Sequence, residues 1–321
     1  MKSPNEVNPQ TGESSRLDDL LKQLELWFKP HEGTLTAFSG GVDSALVLYL
    51  SKRFLGNRGM GVVADSPSLK RSDLELAKSF CEQFGISLRV IQTDELENAD
   101  YGANPPNRCY FCKSNLYQKI SDLRKAEFPA FQLLNGTNQD DRGDYRPGLL
   151  AADEQTVLSP LAACNVGKAE VRSLAKHLGI PVWNKPASPC LSSRIPYGQS
   201  VTKRKLSQIE LAEAMLNRLG FEDVRVRHYG ELARVEVPAE SLDRLREVSG
   251  QVEAELLSLG FSEAQIDSEG LVSGKLNRVL KTDGLLQFGY GTGAADRLSG
   301  NRLWRDEVGR FTDTDTRRLR E

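Results

Sequence analysis

Histidine is scarce in this chain: 321 residues include three His and five Cys. A closed zinc site wants four Cys or His ligands, usually as two paired motifs. Cys109 and Cys112 form one Cys-x-x-Cys pair, no second pair answers it, and no cysteine follows Cys190. A structural zinc site is therefore not expected, and an odd cysteine count fits reduced thiols. Charge of one sign is also lacking, with 42 basic residues against 44 acidic and a net charge of −2. That balance gives no general attraction to nucleic acid, which is not expected as a partner. No apolar run approaches the roughly 18 residues of a transmembrane helix, so no membrane association is expected. Residues 1–15 are polar and lack the apolar segment of a secretory leader; they read as a disordered tail. Repeats and low-complexity tracts are missing. What remains is the composition of a cytoplasmic globular enzyme, long enough for two domains.

One stretch organises the rest. Leu35-Thr36-Ala37-Phe38 reads as a short strand, Ser39-Gly40-Gly41 as a turn, and Val42-Asp43-Ser44 onward as an apolar helix. A strand, a glycine turn and a helix start together present backbone N–H groups at the positive end of a helix dipole. Gly40 and Gly41 let a phosphate approach the backbone, and Ser39 and Ser44 add hydroxyls. No lysine closes the loop, so it is not the lysine-bearing loop that grips β- and γ-phosphates. The glycines alone would equally suit an ordinary turn.

Alternating strand and helix patterns follow. Strands are predicted over 59–64, 86–91 and 131–134, and helices over 16–28, 43–54, 70–84, 109–125 and 168–178. This order predicts an α/β fold with a doubly wound, mostly parallel sheet, whose ligands bind beyond the carboxyl ends of the strands. Residues 100–108 read as loop. From Lys185 the texture changes to an ordered, proline-rich loop. A helix over 203–219, a hairpin over 224–237, a helix over 241–259 and a strand over 263–266 then predict a smaller α+β domain. The expected boundaries are 16–185 for the first domain and 186–288 for the loop and second domain, with a polar tail over 289–321.

Four groups of residues could carry chemistry. Gly136, Thr137, Asp140 and Asp141 follow the 131–134 strand. The two carboxylates suit Mg²⁺ on ATP phosphates, or form a solvated turn. Cys109 and Cys112 begin a helix, as half a metal site, a redox pair or plain helix thiols. Cys190 sits on an irregular loop with Arg194 four positions on, where a cation could favour a thiolate, although lone cysteines are usually inert. Arg225 and Arg227 share one face of a strand opposite Glu236, and paired guanidiniums suit a phosphate or carboxylate.

Together, Ser39-Gly40-Gly41-Val42-Asp43-Ser44, Asn107-Arg108-Cys109-Tyr110-Phe111-Cys112-Lys113, Asn135-Gly136-Thr137-Asn138-Gln139-Asp140-Asp141 and Cys190-Leu191-Ser192-Ser193-Arg194-Ile195-Pro196-Tyr197-Gly198 resemble the LarE family. These are ATP-dependent sacrificial sulfur transferases of nickel-pincer nucleotide biosynthesis, within the ATP pyrophosphatase (PP-loop) superfamily. The resemblance implies ATP and Mg²⁺ as cofactors and a pyridinium dicarboxylate mononucleotide as substrate. A carboxylate is adenylated and pyrophosphate leaves at the Ser39–Ser44 loop. Cys190 then attacks, and its sulfur stays on the product while dehydroalanine stays in the chain. The implied roles are Cys190, Asp43 and Arg194 in catalysis, and Asp43, Asp141 and Glu213 at the metal. Ser39, Gly40, Gly41, Asp43, Ser44, Gly136, Thr137, Asp140, Asp141, Arg225, Arg227 and Glu236 bind ATP or substrate. A homo-oligomer is implied as well. Family members that spare the cysteine carry an iron–sulfur cluster on three cysteines, including a late pair. With no cysteine after Cys190, that version is not expected here, and Cys109 and Cys112 are not read as a cluster site. A tRNA-thiolating relative or an ammonia-using ligase such as NAD synthetase is the alternative.

Overall fold

A computed structural model describes residues 9–143, 147–272 and 274–278. In chain order, α1 (Pro9–Phe28) leads into β1 (Gly33–Ala37), α2 (Val42–Leu55), β2 (Gly59–Asp65), α3 (Arg71–Gln83) and β3 (Leu88–Gln92). The chain continues through α4 (Ala99–Gly102), α5 (Arg108–Glu127), β4 (Phe131–Leu134), α6 (Pro147–Glu154), α7 (Pro160–Ala163) and α8 (Lys168–His177). After the long loop come α9 (Lys203–Arg218), β5 (Arg225–Tyr229), β6 (Leu232–Glu236), α10 (Leu242–Glu247), α11 (Ser249–Ser258) and β7 (Glu263–Ile266). The described chain up to Leu276 packs as one compact unit.

The first four strands make a parallel sheet in the order β3-β2-β1-β4. Every residue of β1 is buried, as a strand covered on both faces must be. The period of two sends Leu35 and Ala37 to the core shared with Tyr117 and Ile120 of α5. Phe38, just past the strand, joins the opposite core, with Leu46 of α2, Phe80 of α3 and Leu174 of α8. Strand order reverses between β1 and β4, and ligands of doubly wound sheets bind at such a reversal. The loop after β1 is Ser39–Gly41, and the loop after β4 holds 135–141.

The second sheet has the order β5-β6-β7, antiparallel then parallel. Its core gathers Leu216, Val226, Val235, Leu245 and Leu256. A separate cluster of Tyr101, Leu191, Ile195, Val201, Leu206 and Ile209 packs the loop after Lys185 between α4 and α9. That cluster explains why a proline-rich stretch without periodicity is nonetheless ordered.

Three sequence expectations need correction. The first helix begins at Pro9, inside the stretch read as a tail; proline is tolerated in a first helical turn. Part of the 100–108 loop is helical in α4, capped by Asn98, whose side chain accepts from the Asp100 and Tyr101 N–H groups. The helix expected over 241–259 is two, α10 and α11, broken where Val248 leaves helical geometry at φ −103° and ψ 11°. The polar tail expected over 289–321 lies outside the described residues.

Candidate active site

The Ser39–Ser44 loop is held by its own hydroxyls. Ser44 Oγ donates to the Gly41 carbonyl at 3.1 Å, accepts from the Ser39 N–H at 3.2 Å and lies 3.1 Å from Ser39 Oγ. Gly41 caps α2 without any side-chain bond to the first-turn N–H groups, which stay uncapped at the positive end of the helix. Gly40 adopts φ +73°, open at low cost only to glycine.

The β4 loop comes up against this one. A Cβ on Gly136 would lie 2.6 Å from the Ser44 nitrogen, so only glycine permits the approach. Asn138 links the carboxylates: its Nδ2 donates to Asp43 Oδ1 at 2.8 Å, and its N–H donates to Asp141 Oδ2 at 3.2 Å. Asp141 is buried and lies 3.4 Å from Lys168 Nζ. Thr137 is held through its N–H by Asn135 Oδ1 at 3.0 Å. Asp140 points elsewhere, accepting from the Lys168 N–H at 2.7 Å at the start of α8. Its carboxylate caps a helix.

A lysine reaches the loop after all, from far along the chain. Lys185 Nζ donates to the Gly40 carbonyl at 3.1 Å and to Asp73 Oδ1 at 2.8 Å. Ser188 Oγ donates to the other Asp73 oxygen at 3.1 Å. Sequence reading missed Lys185 because it looked for a lysine within the loop. Cys190 follows Lys185 by five positions, a stretch that spans at most about 18 Å.

Cys190 is half-buried, and it has company. Tyr101, Arg108, Cys109 and Cys112 are its electrostatic neighbours. Burial, then Cys190, pushes the Cys112 thiol up to about 12. Cys109 is open to solvent, yet the protein around it raises its thiol as well. The sequence reading left the role of this pair open; in the structure the three thiols share one region. Among the described residues, no group of three or more His, Cys, Asp or Glu side chains is arranged to hold a metal ion.

Arg194 makes no hydrogen bond to the Cys190 sulfur among the described residues. It is 2% exposed. Its Nη1 donates to the Pro189 carbonyl at 2.7 Å and to the Cys190 carbonyl at 3.3 Å, while Nε donates to Glu213 Oε1 at 2.8 Å. Glu213 also pairs with Lys70 Nζ at 2.6 Å and accepts from the Val226 N–H at 3.1 Å. Burial works against the Glu213 charge, but Arg194 and Lys70 outweigh it and hold the carboxyl below its ordinary range. Glu213 therefore braces the loop against α9 and β5, and it is not grouped with Asp43 and Asp141.

Arg225 and Arg227 share a strand face and differ in use. Arg227 is buried, pairs with Glu236 at 2.9 Å and donates to the Ser193 carbonyl at 2.7 Å. Glu236 is also within 3.4 Å of Lys275 Nζ. Arg225 is half-buried and has no hydrogen-bond or ion-pair partner among the described residues. Burial, then Arg194 and Arg227, lowers its pKa. An anion arriving at Arg225 would relieve that repulsion.

The NAD synthase family model matches residues 15–200. A pyridinium-3,5-bisthiocarboxylic acid mononucleotide synthase of Lactiplantibacillus plantarum is 36% identical over 253 residues, 78% of this chain and 91% of the relative. The chain belongs to the LarE family. An uncharacterized protein of Synechocystis sp. is 44% identical over 82% of this chain and 99% of its own length. An NH₃-dependent NAD⁺ synthetase of Finegoldia magna is 25% identical over 53% of this chain. The family model's span takes in the first sheet and Cys190 and ends before the second sheet. Among the described residues, no helix is long and apolar enough to cross a membrane.

Proposed function

We propose that this chain inserts sulfur into a carboxylate of a pyridinium dicarboxylate mononucleotide, with ATP as activating co-substrate and Cys190 as the sulfur atom's source. The observation that carries this reading is the 185–190 segment. It clamps the Ser39–Ser44 loop through Lys185 and bears the nucleophile five positions on. The printed name of the Lactiplantibacillus relative supports the substrate class.

ATP supplies a good leaving group on the carboxylate. The uncapped N–H groups of α2, the Ser39 and Ser44 hydroxyls and Lys185 suit its phosphates. Asp43 and Asp141, joined through Asn138, suit a Mg²⁺ that also holds phosphate oxygens, since this cation commonly takes one or two protein carboxylates. Arg225 suits the substrate's phosphate. The Cys190 thiolate attacks the activated carboxyl carbon, the bond to the AMP oxygen breaks, and a thioester forms. Loss of the Cys190 Cα proton and cleavage of Cβ–S then leave a thiocarboxylate on the product and dehydroalanine in the chain. A cytoplasmic setting and a homo-oligomer complete the proposal.

Intact-mass measurement after turnover tests it. Loss of H₂S, about 34 Da, mapped to Cys190 is expected from this elimination. A second reading draws on Cys109 and Cys112 lying beside Cys190. In it, a persulfide donor passes its outer sulfur to Cys190 and leaves as a thiol, and the Cys190 persulfide displaces AMP. A neighbouring thiol attacks the resulting S–S bond to free the thiocarboxylate, leaving a disulfide that an external dithiol reduces, so none is consumed. Unchanged mass through several turnovers with a persulfide donor and a dithiol reductant would replace the first reading with the second.

A further inference from the structure

Four carboxylates are buried among the described residues: Glu95, Asp141, Glu213 and Glu236. Three of them have a cation within 3.4 Å. Lys168 answers Asp141, Arg194 and Lys70 answer Glu213, and Arg227 and Lys275 answer Glu236. Glu95 is 1% exposed, and no cation pairs with it among the described residues. A buried charge is ordinarily paired or bound to a metal ion, because an isolated ion in the interior is costly.

The groups that do touch Glu95 are neutral. Its Oε1 accepts from the Ser66 and Ser68 hydroxyls, the second at 3.1 Å, and the two hydroxyls are 2.7 Å apart. Its Oε2 is buried and has no hydrogen-bond partner among the described residues. Basic side chains from the same elements are committed elsewhere. Arg71 pairs with Asp65, and Lys119 with Asp94 at 2.9 Å. Arg108 donates to the Ser192 carbonyl at 3.0 Å and to Asn104 Oδ1, and Asn104 Nδ2 donates onward to the Pro196 carbonyl at 2.7 Å.

Two more buried oxygens near Glu95 lack a hydrogen-bond partner, Thr93 Oγ1 and Asn115 Oδ1. Thr93 is two residues earlier on the same loop. Asn115 is drawn in from α5 by its Nδ2, which donates to Asp94 Oδ1 at 2.5 Å. Cys112, one helical turn before Asn115, has Glu95 as an electrostatic neighbour, so this face of α5 is turned toward Glu95. Ser66 and Ser68 follow β2, and Thr93 and Glu95 follow β3, its neighbour in the sheet. The oxygens thus gather at the carboxyl ends of two adjacent parallel strands.

We propose that Glu95, with the Ser66 and Ser68 hydroxyls, binds an alkali cation, K⁺ or Na⁺, and that Thr93 and Asn115 supply further oxygens. One carboxylate matches one positive charge. A hydroxyl that donates to Oε1 keeps lone pairs for a cation, and neutral oxygens can replace the hydration shell of an alkali ion. Mg²⁺ usually keeps several waters and suits a closed site poorly. An ordered water would satisfy Oε2 and leave the charge unanswered. The ion would tie β2 and β3 to the cysteine loop, because the Leu191 N–H donates to the Ser68 carbonyl at 2.9 Å. The site stands apart from the sulfur-insertion reading, and its test uses neither ATP nor substrate.

The full chain is dialysed into tetramethylammonium chloride, and thermal melts are compared in that salt, in KCl and in NaCl at equal ionic strength. Wild-type Tm is expected to rise by about 5 °C at a hundredfold excess of the bound ion over its Kd. The ion that fits better gives the larger rise. Glu95→Gln keeps an oxygen for the two hydroxyls, and its Tm is expected to be the same in all three salts. If Glu95→Gln fails to fold, Ser66→Ala decides, with a smaller ion-specific rise expected. Elemental analysis of the dialysed protein covers an ion too tightly held to remove: one equivalent of K⁺ or Na⁺ in wild type, absent from the variant, supports the site. A wild-type Tm equal in the three salts, in protein free of alkali metal, overturns the proposal. So does an ion-specific rise that the variant keeps in full. If Glu95 serves only as a hydrogen-bond acceptor, substitution lowers Tm equally in every salt, and the proposal falls.

Discussion

The phosphate side and the sulfur side of this site are built on different principles. The phosphate side uses backbone, glycine and hydroxyls, with Ser39, Gly41 and Ser44 bonded to one another within six residues of chain. The sulfur side uses buried charges joined across the fold. Lys70, Arg194 and Glu213 come from three segments, and so do Asn104, Arg108 and Ser192. A phosphate recess can be preorganised by local geometry. Buried charges need ions that answer one another, and these must be brought from distant elements.

The sharpest way to break this contrast is at Glu213. Glu213→Gln leaves the buried Arg194 without its carboxylate and the half-buried Lys70 without its ion-pair partner, and the expected loss is about 3–5 kcal/mol of stability, read by denaturant melts. A wild-type midpoint would show that the sulfur side does not depend on this ion pair. On the phosphate side, Gly136→Ala puts a methyl 2.6 Å from the Ser44 nitrogen. An overpacking cost of about 1–3 kcal/mol is expected, together with weaker ATP binding measured by calorimetry. Unaltered ATP affinity would mean that the two loops do not share the nucleotide.

Between the two arginines the split is smaller. Arg225→Gln should raise substrate KM about tenfold with little change in Tm, since it removes one charge-assisted contact and no internal bond. Arg227→Gln should lower Tm because it leaves the buried Glu236 with Lys275 alone. The reverse pattern would exchange their roles. The mildest test is acid. Burial lowers the His228 pKa from 6.5 to about 4. Below pH 6.5 the unfolded chain takes a proton that the folded chain refuses, so this share of stability is full above pH 6.5 and is lost as pH falls toward 4. The loss is on the order of 2–3 kcal/mol, and His228→Gln should flatten that part of the pH–stability curve.

The sequence was legible where chemistry follows spacing. The β1–α2 loop could be read because strand, glycines and helix are contiguous. The four parallel strands could be read because each carries an apolar run between helical patterns. Arg194 was misread: four positions from Cys190 suggested a cation at the sulfur, while tertiary packing turns the guanidinium onto Glu213 and two carbonyls. Asp140 was misread because a turn-forming carboxylate and a helix cap look alike in sequence. Lys185, Asn104 and Arg108 went unassigned because each acts on a segment far away in the chain. The 241–259 pattern hid a break at Val248, because apolar periodicity continues through it.

The segment between Lys185 and Cys190 also acts as a ruler. One end is pinned at Gly40 by Lys185 and at Asp73 by Ser188; the other is pinned where the Leu191 N–H donates to the Ser68 carbonyl at 2.9 Å. Its length sets how far the sulfur stands from the phosphates. Each residue added or removed there would move that distance by up to about 3.5 Å, more than a reacting pair tolerates. In the proposed reaction, Lys185 and Ser188 hold this stretch by their side chains, and its residue count is constrained by the span of an activated carboxylate between its leaving group and its nucleophile.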